Sequence, residues 1–70
     1  MDIQVGKNYK MRNGMGVRIV EHNPNSTACM RGYHEHETPS GRIKEKWNIW
    51  CSDGKFKFVG DSEYDIVSEV

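Results

Sequence analysis

Five clusters of turn-forming residues cut the chain into short pieces: Asn13-Gly14, Asn23-Pro24-Asn25-Ser26, Thr38-Pro39-Ser40-Gly41, Ser52-Asp53-Gly54 and Gly60-Asp61-Ser62. Each cluster has its own physical reason to turn. Glycine reaches positive φ without a steric penalty, proline presets φ, and Asn, Asp and Ser hydrogen-bond their own backbone. Turn signals at intervals of about 8–12 residues are the spacing of short strands in a small barrel or sandwich. Asn13-Gly14 is the strongest of them, a two-residue hairpin signal followed at once by Met15-Gly16. No interval carries the 3.6-residue apolar repeat that a helix would show over about eleven residues.

The intervals therefore read as strands. Lys7 to Arg12 alternates, with Tyr9 and Met11 on one face and Lys10 and Arg12 on the other. Val17 to Glu21 puts Val17 and Ile19 together, opposite Arg18. Thr27 to Glu37 carries Gly32 in its middle, which predicts a bulge or sharp bend. From Arg42 to Cys51 the alternation assigns Ile43, Trp47, Ile49 and Cys51 to the core, interrupted by Glu45. It leaves Lys44, Lys46, Asn48 and Trp50 on the outward face. Lys55 to Val59 turns Phe56 and Phe58 inward, and Asp65 to Val70 supplies a last short strand. The expected fold is all-β: five to six short strands in a small SH3-like barrel or a strongly twisted antiparallel sheet. The ends of the chain, near Val5–Tyr9 and Ile66–Val70, would pair to close it and remove exposed strand edges.

Seventy residues make a single domain. A chain this short buries only about 60% of its unfolded surface, so the interior rests on a few large side chains. With 36% apolar residues and a mean hydropathy of −0.81, those are Tyr9, Ile19, Tyr33, Trp47, Ile49, Phe56, Phe58, Tyr64 and Ile66. Little is left to line the several hundred cubic ångströms of a deep ligand pocket, which argues against a self-contained enzyme. The formal net charge is zero, unlike the basic excess of a dedicated nucleic-acid binder. The charge is nonetheless uneven. Residues 38–58 carry an excess of three positive charges, and residues 59–70 an excess of four negative ones. No segment approaches the ~20 apolar residues of a membrane span, and Met1-Asp2-Ile3-Gln4 has no signal-peptide character. A cytoplasmic location follows as the expectation, with Cys29 and Cys51 as buried thiols rather than a disulfide.

Two stretches, VGKNYKMRNGMGVRIV near the start and GKFKFVGDSEYDIVSEV near the end, carry a recognisable layout. Val5, Gly6, Lys7, Tyr9, Arg12, Gly14, Val17, Arg18 and Ile19 form the first half of the match. Asp53, Gly54, Lys55, Phe56, Ser62, Asp65, Ile66, Val67 and Glu69 form the second. The layout resembles that of short bacteriophage and prophage accessory proteins. It covers about half of the chain, and the stretch from Asn23 to Asn48 has no counterpart. The resemblance implies an accessory protein made in the bacterial host cytoplasm, and it carries over no catalytic residue.

Three constellations could hold chemistry. Tyr33-His34-Glu35-His36-Glu37 sets two histidines on one strand face about 7 Å apart, a separation zinc sites use. No Cys-x-x-Cys or helical His-Glu-x-x-His spacing accompanies them, and Cys29 falls on the opposite parity. A polar hairpin end explains the run without metal, so no metal and no cofactor is expected. The carboxylates Glu35 and Glu37, and Asp61, Glu63 and Asp65, lack a cleft to separate their pKa values, and no catalytic residue is assigned. The turn serines Ser26, Ser40, Ser52 and Ser62 read as capping groups.

The third constellation is a surface: Lys44, Lys46, Asn48 and Trp50 along one strand, with Lys55 and Lys57 on the next. An aromatic among lysines suits a protein interface centre or base stacking with phosphate contacts. The expected function is a small phage-type binding module that engages a host or phage protein, with inhibition of that protein as one consequence such binding can have. The alternative is a single-stranded nucleic-acid-binding barrel. A monomer or homodimer without a membrane partner is expected in either case.

Overall fold

The computed structural model describes residues 2–57 and 61–70. Five strands form one antiparallel sheet: β1 (Asn8–Met11), β2 (Gly16–His22), β3 (Met30–Glu37), β4 (Ile43–Trp50) and β5 (Ile66–Glu69). Their order across the sheet is β4-β3-β2-β1-β5, a meander to which the last strand is added beside the first. The expected terminal pairing is present, with Tyr9 opposite Glu69 and the Val70 N–H donating to the Asn8 carbonyl at 3.0 Å. The sheet is twisted and not closed into a barrel. Its two edges approach through the 51–57 turn, where Trp50 and Phe56 form a single bridge and the Ile66 N–H donates to the Gly54 carbonyl at 2.9 Å. The strand expected over Lys55–Val59 is represented by that bridge alone, and Phe58 and Val59 lie outside the described residues.

Three hairpin turns use one device. In Met11–Met15, Thr38–Arg42 and Cys51–Lys55, the first residue's carbonyl accepts from the glycine N–H (2.9, 2.9 and 3.0 Å). Its own N–H donates to the carbonyl of the residue after that glycine (2.9, 2.8 and 2.7 Å). The fourth residue must be left-handed, and Gly14, Gly41 and Gly54 have φ of 86°, 85° and 95°. Asn13 and Asp53 add an Oδ1 that accepts from the N–H two residues on, at 2.9 and 3.0 Å. The second turn is looser: Thr27 to Cys29 precede β3 rather than join it, and the Asn23 N–H closes a loop onto the Cys29 carbonyl.

Gly32 sits where β2 bulges between Ile19 and Glu21. A methyl group there would run into the Arg18 carbonyl and lie 2.9 Å from the Ile19 Cα. The bulge expected near Gly32 is therefore real, with the extra residue on the facing strand.

The inner face of the sheet holds Tyr9, Met11, Val17, Ile19, Met30, Trp50 and Ile66, joined by Ile3, Ala28 and Cys29 from the flanking segments. Tyr64 and Phe56 pack against this core. The assignment of β4 is inverted relative to expectation. Trp50 is 0% exposed and central, whereas Trp47 is 42% exposed and Ile43 52%. Cross-strand register gives the reason. Met30 faces Trp50, Gly32 faces Asn48 and His34 faces Lys46, and the inner positions of β3 fix the face of each partner. Only Trp50 lies over the core, while Ile43 to Trp47 run beyond it along a sheet edge. Tyr33, Trp47 and Ile49 thus stand on the outer face.

Candidate functional site

The lysine strand forms a site, but on the inner side of the sheet. Lys46 and Asn48 on β4 face His34 and Gly32 on β3. With His36, Phe56, Lys57 and Tyr64 they line a recess of about 270 Å³. Of the six residues expected to form a surface, Lys46, Asn48 and Lys57 meet here. Lys44 is one rung further out, opposite His36. Trp50 lies buried behind the recess, its indole N–H donating to the Tyr64 carbonyl at 2.9 Å. Lys55 turns away to Asp61 (2.9 Å) and Asp65 (3.8 Å). Trp50 and Lys55 are therefore not among the residues that line the recess.

The wall of the recess is aromatic. The Tyr64 ring stands 5.2 Å from both the His34 ring and the Phe56 ring, and Trp50 meets His34 and Phe56 edge-on at 5.9 and 5.8 Å. His34 is 2% exposed, and its protonation is fixed by its neighbours. Nδ1 lies 3.1 Å from the Glu35 carbonyl, which can only accept. Nε2 lies 3.0 Å from the Asn48 amide nitrogen, which can only donate. The ring is therefore neutral, with its proton on Nδ1. Burial pushes its pKa below the usual 6.5, and the charges of His36, Lys46 and Lys57 push the same way against the Glu35 hydrogen bond.

The rim is positive and uncompensated. The ion pairs join Lys7 to Glu69, Arg12 and Lys55 to Asp65, Arg18 to Glu45, Arg31 to Glu21, and Lys55 to Asp61. Among the described residues Lys44, Lys46 and Lys57 join none. Among the described residues no carboxylate lines the recess. Lys57 holds a left-handed φ of 52°, a strained conformation for a side-chain-bearing residue. It sets the ammonium 5.0 Å from the centre of the Phe56 ring, and its carbonyl accepts from the Cys51 thiol at 3.0 Å. Both cysteines are free thiols. Among the described residues no three His, Cys, Asp or Glu side chains gather to hold a metal ion.

Asp65 braces the site from behind. Its side chain is 3% exposed, and Oδ1 accepts from the Phe56 N–H (2.8 Å) while Oδ2 accepts from the Ser62 N–H (3.1 Å). Burial alone would raise its pKa; these two N–H groups, Lys55 and Arg12 overcome that and hold it below the ordinary carboxylate value.

A second surface lies on the outer face. Trp47 meets Tyr33 edge-to-face at 5.0 Å, and the Arg18 guanidinium covers the Tyr33 ring at 5.3 Å. Arg18 is in turn paired with Glu45 at 3.4 Å. Alternation assigns Trp47 to the core, and side-chain size assigns Tyr33 there; the structure puts both on the outer face. Nor could alternation have joined His34, His36 and Tyr64 to Lys46, since cross-strand register and the packing of the 61–65 turn bring them together.

Fold and surfaces together define the class: a five-stranded antiparallel β domain with a basic, aromatic-walled recess inside and an exposed Trp-Tyr-Arg patch outside. No family model, no curated protein and no solved structure matches the chain.

Proposed function

We propose that the protein is a small binding module of the phage accessory kind, which engages and blocks a host or phage protein through its outer face. The observation carrying this reading is the stacked trio Arg18, Tyr33 and Trp47, with Trp47 left 42% exposed. Trp, Tyr and Arg are the residue types that dominate interface energetics. Here they are held rigid by one another on regular strands, so little side-chain freedom is lost on docking. Exposed Val20 on β2 and Ile43 on β4 add apolar area on two of the same three strands. The resemblance of the sequence layout to that of phage accessory proteins supports the choice of partner. The test is capture from a bacterial lysate with identification of the bound protein. Wild type retains one partner, and Trp47→Ala weakens it at least about 30-fold, the scale of a hot-spot truncation. Equal capture of that partner by Trp47→Ala would overturn the reading.

A second reading, single-stranded nucleic-acid binding, is favoured by the unpaired Lys44, Lys46 and Lys57. Its signature is affinity that falls steeply with salt. Absence of any gel shift at low salt removes it.

A further inference from the structure

We propose that the recess between β3, β4, Phe56, Lys57 and Tyr64 is a binding pocket for a phosphate monoester on a small, flat organic group. The proposal is independent of the outer-face reading, because it uses the opposite side of the sheet.

The argument starts from charge. Lys46 and Lys57 bring two ammonium groups to one recess without a carboxylate among the lining residues. His36 adds a ring that can donate to an oxyanion. Like charges held together this way repel, and the fold supplies no acid to relieve them, although acids are plentiful elsewhere. Lys55, two residues from Lys57, takes two carboxylates for itself. A terminal phosphate, with a charge approaching two at neutral pH, matches the pair. A backbone phosphodiester carries one.

Preorganisation comes next. Asn48 is pinned by the His34 ring, leaving its second amide N–H and its carbonyl available. His34 is itself locked as a neutral ring by Glu35, so the back of the site holds its shape without charge. Lys57 is kept in its left-handed conformation, with its carbonyl tied to the Cys51 thiol. These are the marks of a site held in one geometry before its ligand arrives. Strain of this kind concentrates at ligand sites.

Size and walls define the rest of the ligand. About 270 Å³ falls at the lower end of the range of small-molecule sites. Tyr64 and Phe56 offer ring surface beside the cations, suited to a flat group such as a nucleobase. The recess is too small for the run of ~4 or more nucleotides that a single-strand binder tracks. A mononucleotide or comparable phosphorylated ring compound is the class that fits.

Amide-resolved NMR titration of the full chain with inorganic phosphate, adenosine 5′-monophosphate and adenosine tests the proposal, with sodium chloride matched in ionic strength. The expected result is saturable shifts at His34, His36, Lys46, Asn48, Lys57 and Tyr64. The mononucleotide binds tighter than phosphate, and adenosine alone binds weakly. Lys46→Gln and Lys57→Gln each weaken binding about tenfold, the scale of one lost charge-assisted contact. Both leave the melting temperature within a degree or two, and Trp47→Ala leaves binding unchanged. Shifts that chloride reproduces overturn the proposal. So does affinity for a thymidine oligonucleotide exceeding that for the mononucleotide, with shifts spreading beyond the recess.

Discussion

His34 sits where burial, neighbouring cations and two hydrogen bonds all act on one ring. Its folded-state pKa is lowered, so between that value and 6.5 the unfolded chain binds a proton that the folded chain refuses. Stability from this group is complete above pH 6.5 and is lost as pH falls below it, at a slope of at most about 1.4 kcal/mol per pH unit. Urea unfolding midpoints measured between pH 8 and 5 should decline over that window. His34→Phe, which keeps a ring but cannot titrate, should flatten the decline. A curve for His34→Phe as steep as wild type would assign the acid sensitivity elsewhere. Asp65 produces a second loss at lower pH, because its folded pKa lies below the usual 3.8 and its anion is lost as pH falls through it. Asp65→Ala strands the Phe56 and Ser62 N–H groups. It should cost about 2–6 kcal/mol in chemical denaturation, since each unsatisfied buried donor is worth about 1–3 kcal/mol.

The strands owe their ends to the three repeated turns, and glycine is the residue in each that no other type replaces without strain. Gly41→Ala meets open space around its Cβ, so only the φ of 85° penalises it. A loss of about 1 kcal/mol is expected. Gly32→Ala is a different matter, because its methyl strikes the backbone of β2 and two strands must separate. We expect about 3 kcal/mol or more, read as a fall in thermal midpoint several times that of Gly41→Ala. Comparable losses for the two would show that β2 yields easily. The contrast bears on what the sequence could reveal. Turn chemistry is local, so Asn13-Gly14, Thr38-Pro39-Ser40-Gly41 and Ser52-Asp53-Gly54 announced the hairpins, and Tyr9/Met11 and Val17/Ile19 announced their inner faces. β4 misled because alternation reports burial only where a core lies beneath it. Along Ile43–Trp47 there is none, and the Tyr33–Trp47 pair imitates a core on the wrong side. The lysines of the recess were visible as a row. Their histidine and tyrosine neighbours were not, being set by the pairing of His34 with Lys46 and by a turn anchored through Asp65.

At the scale of the molecule, one side chain joins everything. Trp50 ends β4, bridges to Phe56 and reaches the Tyr64 carbonyl. It also stands edge-on to His34 behind the recess. Trp50→Ala should cost about 3–5 kcal/mol, as much as the ~3–5 kcal/mol that the core of so small a domain supplies. Circular dichroism and urea titration should find it largely unfolded at room temperature. A cooperative transition near the wild-type midpoint would place the weight of the core on Tyr9 and Ile19 instead. The edges of the sheet are protected from unwanted pairing by different means. β4 carries Lys44, Glu45 and Lys46 in succession, and β5 is only four residues long.

The chain holds two indoles, one sealed inside the sheet and one standing in solvent on its opposite side. Their emission differs in kind. Trp50, away from water, emits at shorter wavelength and resists iodide, whereas Trp47 emits further to the red and is quenched freely. With Trp47→Phe and Trp50→Phe, each signal can be followed alone. The protein thus carries its own pair of optical reporters: a partner docking outside dims or shifts one, and a small molecule settling within the fold perturbs the other.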